Sequence, residues 1–150
     1  MNTFIVTCPS CSARNRIPAD RQHLRPKCGK CSIPLDLREN ARPIELTDQD
    51  FQNFLGRATQ PVMVDFYSPT CGPCKALAPL ILHLSREYLG RVHIATLDTS
   101  LYPAAASRYQ IRGVPTLLFF QNGQVIDQVV GAPPETQLRQ KLEQLAGNRR

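Results

Sequence analysis

A chain of 150 residues has room for one full domain and a small extra module, and 42% hydrophobic with 20% charged residues excludes a disordered polymer. No apolar run approaches the ~20 residues needed to span a bilayer, and the start Met1-Asn2-Thr3-Phe4-Ile5-Val6-Thr7 lacks the basic and apolar regions of a secretory signal. The net charge of +6 is uneven: residues 1–43 hold eight Lys/Arg against three Asp/Glu, and residues 44–150 hold ten against nine.

A cytoplasmic location is the default expectation, and in a reducing compartment six cysteines point to catalysis or metal binding rather than structural disulfides. They fall into three Cys-x-x-Cys pairs: Cys8/Cys11, Cys28/Cys31 and Cys71/Cys74. The first two pairs are 16 residues apart, a spacing that reads as a zinc site. Zinc takes four soft ligands in a tetrahedron, and two facing knuckles supply them, with Pro9-Ser10 and Gly29-Lys30 filling the turns. The large apolar residues around them are few (Phe4, Ile5, Val6, Ile17, Leu24, Ile33, Leu35, Leu37), and so small a lobe needs a metal or cross-links to fold. Four unrelated free cysteines is the competing reading. His23 is expected at the surface, since four cysteines complete the shell. The basic residues Arg14, Arg16, Arg21, Arg25, Lys27 and Lys30 invite a nucleic-acid reading, but no stacking aromatics are interleaved with them, and a solvated face is the expectation.

The expected divisions are a ribbon over 1–37, a polar linker over 38–43 and a second domain over 44–150, with Arg149-Arg150 as a tail. Ile44-Glu45-Leu46 reads as a short edge strand, and Thr47 as the N-cap of a helix from about Asp48 to Gly56 that aligns Phe51, Phe54 and Leu55. Pro61 opens a strand to Tyr67. Val62, Val64 and Phe66 face one way and Met63 and Tyr67 the other, so both faces are covered. Asp65 interrupts that pattern, either as a strand-end aspartate reaching water or as a buried carboxyl whose pKa is raised.

The strand then runs into Ser68-Pro69-Thr70 and Cys71-Gly72-Pro73-Cys74-Lys75, where a helix begins. A helix N-terminus aims unpaired N–H groups and the positive end of its dipole at the first sulfur, and this favours thiolate, the nucleophilic form. That helix is expected to about Leu89, with Leu77, Leu80, Ile81, Leu84 and Tyr88 at helical spacing and a bend at Pro79. A parallel strand over Arg91–Asp98 follows, then a short helix over Pro103–Tyr109. Next comes a hairpin pairing Pro115–Phe120 with Gln124–Val130 across Asn122-Gly123, and a closing helix from Pro134 to about Ala146. The order describes an α/β protein, a mixed central sheet flanked by helices.

Val64-Asp65-Phe66 followed by Cys71-Gly72-Pro73-Cys74-Lys75 resembles the active site of the thioredoxin family, and residues 44–150 resemble the thioredoxin fold. With the four-cysteine ribbon in front, the chain is similar to the zinc-containing thioredoxin 2 type. The resemblance implies a protein-disulfide reductase. Cys71 would attack a substrate disulfide, Cys74 would resolve the mixed disulfide, and a buried Asp65 would take the Cys74 proton through water. It implies a cis Val114–Pro115 bond and a substrate groove walled by Thr70, Gly72, Pro73, Val114, Pro115 and Gly131. On the residues alone, Pro115 and Gly131 read equally well as a strand-start proline and a strand-end glycine. The implied electron donor is NADPH-dependent thioredoxin reductase, acting on a monomer with one Zn2+, structural or redox-sensing, on Cys8, Cys11, Cys28 and Cys31. No organic cofactor is expected.

Two positions depart from the family. Thr70 stands where tryptophan is usual, and Thr96 where the third strand usually carries lysine; without that cation Asp65 should titrate higher still. A redox-switched zinc chaperone is the competing class; it would keep anti-aggregation activity without Cys71.

Overall fold

The computed structural model describes residues 3–147, so the expected tail Arg149-Arg150 lies outside it. Two strands, β1 (Thr3–Thr7) and β2 (Arg14–Pro18), form an antiparallel hairpin, followed by a 3-10 helix, Ala19–Leu24. The main sheet is built from β3 (Ile44–Leu46), β4 (Val62–Tyr67), β5 (His93–Asp98), β6 (Thr116–Gln121) and β7 (Gln124–Val130) in the order β3-β5-β4-β6-β7. β3, β5 and β4 are parallel, whereas β6 and β7 are antiparallel additions. Among the described residues four helices cover the sheet: α1 (Phe51–Arg57), α2 (Gly72–Glu87), α3 (Pro103–Arg108) and α4 (Glu135–Gly147).

Strand alternation sorts the core into two layers. Val62, Val64 and Phe66 of β4 pack with Ala95, Leu97, Leu118 and Phe120 against α1 and α3. Met63 joins Ile94, Leu117 and Phe119 under Leu77, Ile81 and Leu84 of α2 and Leu138, Leu142 and Leu145 of α4. Asp65 shares the parity of Met63, so its carboxyl faces the α2 layer. At the hairpin tip Asn122 (φ 52°) and Gly123 (φ 79°) take the left-handed conformation that a two-residue turn demands.

Regular helix begins at Phe51, three residues later than expected. The turn before it is closed reciprocally: Asp50 Oδ1 accepts from the Thr47 N–H (2.7 Å) and Thr47 Oγ1 from the Asp50 N–H (3.3 Å). Asp48 serves another element, accepting the N–H groups of Ala104 (3.1 Å) and Ala105 (2.7 Å) at the start of α3.

The segment read as a polar linker is packed. Ala41 is fully buried, and the Gln22 side chain satisfies both backbone groups of Arg42, donating to its carbonyl (2.7 Å) and accepting from its N–H (3.1 Å). Arg86 Nε donates to the Ala41 carbonyl (3.0 Å), and the Arg42 guanidinium lies over the Phe4 ring. His23 also departs from expectation. It is half-buried, its ring edge-on to that of His93 in β5 at 4.6 Å between centroids, so one face of it is covered by the main sheet instead of by water. Burial, then the neighbouring His23, pushes the His93 imidazole down to about 4.

Candidate active site and four-cysteine centre

Two chemically distinct cysteine centres emerge. In the N-terminal lobe each knuckle is built the same way. The Cys8 N–H bonds the Ala13 carbonyl and the Ser12 N–H the Cys8 carbonyl; Cys28, Ile33 and Ser32 repeat the pattern at the same distances, 2.8 and 2.9 Å. Ser12 (φ 66°) and Ser32 (φ 67°) turn the chain back after each pair. The backbone N–H groups of Ser10 and Lys30 donate to the sulfurs of Cys8 and Cys28, each at 3.4 Å. Asn15 Nδ2 adds a further contact to Cys28 at 3.6 Å. Backbone donors of Cys31 and Lys30 hold the Cys28 thiol down to about 6.

All four sulfurs lie within 4.8 Å of one another, with Cys8–Cys31 and Cys11–Cys28 at 3.6 Å. A tetrahedron of thiolates at about 2.3 Å from a zinc ion has an edge of about 3.8 Å, so the chemistry and spread of the donor set suit that metal.

The third pair is built on a helix start. Cys71 is the N-cap of α2, with extended backbone (φ −83°, ψ 118°) and its Sγ accepting the Cys74 N–H at 3.1 Å. Its carbonyl accepts the first helical bond, from the Lys75 N–H at 3.1 Å. Gly72 and Pro73 occupy the first two helical positions, where a missing N–H costs nothing. Ahead of the cysteine, Ser68 Oγ contacts the Thr70 hydroxyl (3.2 Å) and the Ser68 carbonyl accepts the Cys71 N–H (3.2 Å). Cys71 and Cys74 are joined as a disulfide, their Cα atoms 5.2 Å apart. Cys71 is partly exposed and Cys74 is buried.

Across from the disulfide runs the loop before β6. Val114–Pro115 is cis, and the Val114 carbonyl lies 3.6 Å from Cys71 Sγ. The Gly131 N–H, at φ 92°, donates to the Pro115 carbonyl at 2.8 Å. The contact from Val114 to Cys71 and the bond from Gly131 to Pro115 bring the loop before β6 and the end of β7 towards the pair that Thr70, Gly72 and Pro73 adjoin in sequence.

Behind Cys74 lies a cleft of about 540 Å3 lined in part by Asp65, Thr96, Glu45, Arg42 and Arg86. Asp65 is only 3% exposed, and its Oδ1 has no hydrogen-bond partner among the described residues. Burial pushes this carboxyl up to about 7. Thr96 is directly opposite Asp65 in the β4–β5 register and Glu45 directly opposite Thr96 in β3–β5, so the three occupy one row. Sequence reasoning placed Asp65 and Thr96 but missed the two arginines and Glu45, which come from segments that read as linker, edge strand and helix surface.

The thioredoxin family profile matches residues 42–144, and the chain belongs to that family, whose class is the thiol–disulfide oxidoreductases. A second profile, that of the N-terminal ribbon of thioredoxin 2, matches residues 7–32 and so spans all four ribbon cysteines. Thioredoxin C-3 of Corynebacterium nephridii is 33% identical over 144 residues, 94% of each chain. Thioredoxin 1 of a Nostoc strain is 41% identical over 99 residues, covering 66% of this chain and 92% of its own. Thioredoxin C-2 of Corynebacterium nephridii is 41% identical over 105 residues, covering 70% of this chain and 97% of its own. No helix among the described residues is long and apolar enough to cross a membrane.

Proposed function

We propose that the chain reduces protein disulfides through Cys71 and Cys74 by a mixed-disulfide mechanism. The observation that carries this is the asymmetry of the pair: Cys71 is reachable and receives an N–H at a helix start, while Cys74 is buried beside Asp65. In the reduced protein the Cys71 thiolate attacks a substrate disulfide, forming one S–S bond and releasing the first substrate thiolate, which takes a proton from water. Cys74 then gives its proton to the Asp65 carboxylate, and its sulfur attacks Cys71. The mixed disulfide breaks, Cys71–Cys74 forms, and the second substrate thiolate leaves. Two electrons pass from the dithiol to the substrate. A carboxyl that titrates near 7 suits the transfer, because it both accepts and returns a proton at neutral pH.

The cis Val114–Pro115 loop offers backbone groups to an extended substrate segment, with Thr70, Gly72, Pro73 and Gly131 as the remaining walls. Zinc on Cys8, Cys11, Cys28 and Cys31 would supply the cross-link that holds the small lobe, whose buried apolar core beyond the cysteines is Phe4, Val6, Ile17, Leu35 and Leu37 among the described residues. We take residues 1–37 as that ribbon, 38–43 as the connection and 44–150 as the redox domain. The partners are disulfide-bearing proteins and an NADPH-dependent thioredoxin reductase, in a cytoplasmic monomer.

Cys71→Ser should reduce insulin disulfides no faster than buffer, and Cys74→Ser should accumulate a mixed disulfide through residue 71. Turnover by Cys71→Ser, or a wild-type protein that prevents aggregation but reduces no disulfides, would sink the assignment.

A further inference from the structure

The cleft behind Cys74 has a wall that comes from outside the sheet and α2. The sheet and α2 line it, and so do Arg42 and Pro43, from the segment that joins the two lobes. That segment is not free to swing. Gln22, 5% exposed in the 3-10 helix of the N-terminal lobe, bonds both backbone groups of Arg42. From the other lobe Arg86 of α2 holds the carbonyl of Ala41. Both clamps act on consecutive residues, and the wall begins where they end.

We propose that this clamped segment shields Asp65 from water, so that the seating of the N-terminal lobe sets the pH at which the Cys74 proton is transferred, with Gln22 as the positioning residue. The proposal rests on Asp65 being the base for Cys74. Asp65 is raised by burial alone, with no charged neighbour among the causes. A group perturbed in that way responds to anything that admits water. The charged and titratable groups facing it are Arg42 from the connecting segment, Glu45 from β3, Tyr67 from β4, and Cys74 and Arg86 from α2. Substituting Gln22 changes none of these charges, which separates hydration from Coulombic effects.

The test follows the Asp65 carboxyl by carbon NMR titration of the full-length, metal-loaded protein. Gln22→Met keeps the length and packing of the side chain but removes both hydrogen bonds. The Asp65 midpoint should fall by roughly one pH unit as water reaches the cleft. Ala78→Leu adds bulk over the same cleft from the α2 side and should move the midpoint upward. Metal content and thermal unfolding of both variants establish that they are folded. A Gln22→Met midpoint within about 0.3 units of wild type overturns the proposal, whether or not exchange of the Arg42 amide has accelerated. So does a downward move in Ala78→Leu. Should Gln22→Met not fold, Ala78→Leu decides alone. The underlying reading fails separately: if Asp65→Asn keeps the wild-type pH profile of disulfide reduction, Asp65 is not the base, whatever the NMR midpoints do.

Discussion

The same four-position spacing produces opposite chemistry in two regions of this molecule. At Cys8/Cys11 and Cys28/Cys31 the chain folds back after the second cysteine through a left-handed serine, so two pairs converge face to face. At Cys71/Cys74 the second cysteine lies within the first turn of a helix, and its sulfur meets that of the cysteine one turn earlier. Backbone N–H groups stabilise sulfur in both regions. In the ribbon they come from the residue two places on (Ser10, Lys30), and four sulfurs share one site. In the redox pair the donor is the helix start, and one sulfur remains accessible to an outside disulfide. The backbone path after the second cysteine, rather than the spacing, decides between a cluster of four sulfurs and a bonded pair at a helix start.

Removing the metal tests this contrast most severely. Structural zinc contributes on the order of 10 kcal/mol to lobes of this kind, so chelation or Cys28→Ser should release it and expose the β1–β2 amides to exchange. Alkylation of reduced Cys71 should continue at its former rate; a fall in step with metal loss would mean that the two regions are not chemically separate.

Asp65→Asn probes the redox side. The wild-type carboxyl binds its proton more tightly folded, at about 7, than unfolded, at the ordinary value of 3.8, so ionisation destabilises the fold as pH rises between them. The variant escapes that cost and should be more stable at pH 8 by about 4 kcal/mol, the gain shrinking below pH 7 and vanishing near pH 4. Denaturant unfolding at both ends of that range measures it. No difference at pH 8 would mean that the carboxyl is hydrated in solution.

His93 works in the opposite direction at the junction between the lobes. Its imidazole is held down to about 4, so from its ordinary 6.5 downward the unfolded chain takes up the proton first and stability is lost. His93→Leu should remove that acid-dependent loss, worth about 3 kcal/mol by pH 4, and leave a flatter stability profile below pH 6. The smallest effect belongs to Asp48→Ala, which strips the cap from α3. A cost of about 1 kcal/mol, or roughly 2–4 °C in melting temperature, is expected without change in metal content or Cys71 reactivity.

Much of this was legible in the sequence, because local chemistry dictates it. Asn122-Gly123 announces its turn, the apolar parity of Val62 to Tyr67 announces a doubly covered strand, and Cys71-Gly72-Pro73-Cys74 sits where strand gives way to helix. The features that stayed hidden depend on partners distant in the chain. The packing of residues 41–43 rests on Gln22 and Arg86, neither of which looks unusual in its own segment. His23 reads as surface until β5 is placed beneath it, and Asp48 reads as part of its own helix's first turn until Ala104 and Ala105 arrive. The row Glu45–Thr96–Asp65 is a property of strand register alone, and three strands must be ordered before it exists.

The parallel pairing of β3 with β5 also bears on how the molecule is made. Ile44–Leu46 leaves the ribosome long before His93–Asp98, its partner in the sheet, has been translated. The sulfur cluster, by contrast, is complete once Cys31 has emerged. Vectorial synthesis therefore allows the four cysteines to come together as an independent early unit, while the edge strand beside them waits, unpaired, for the rest of the chain.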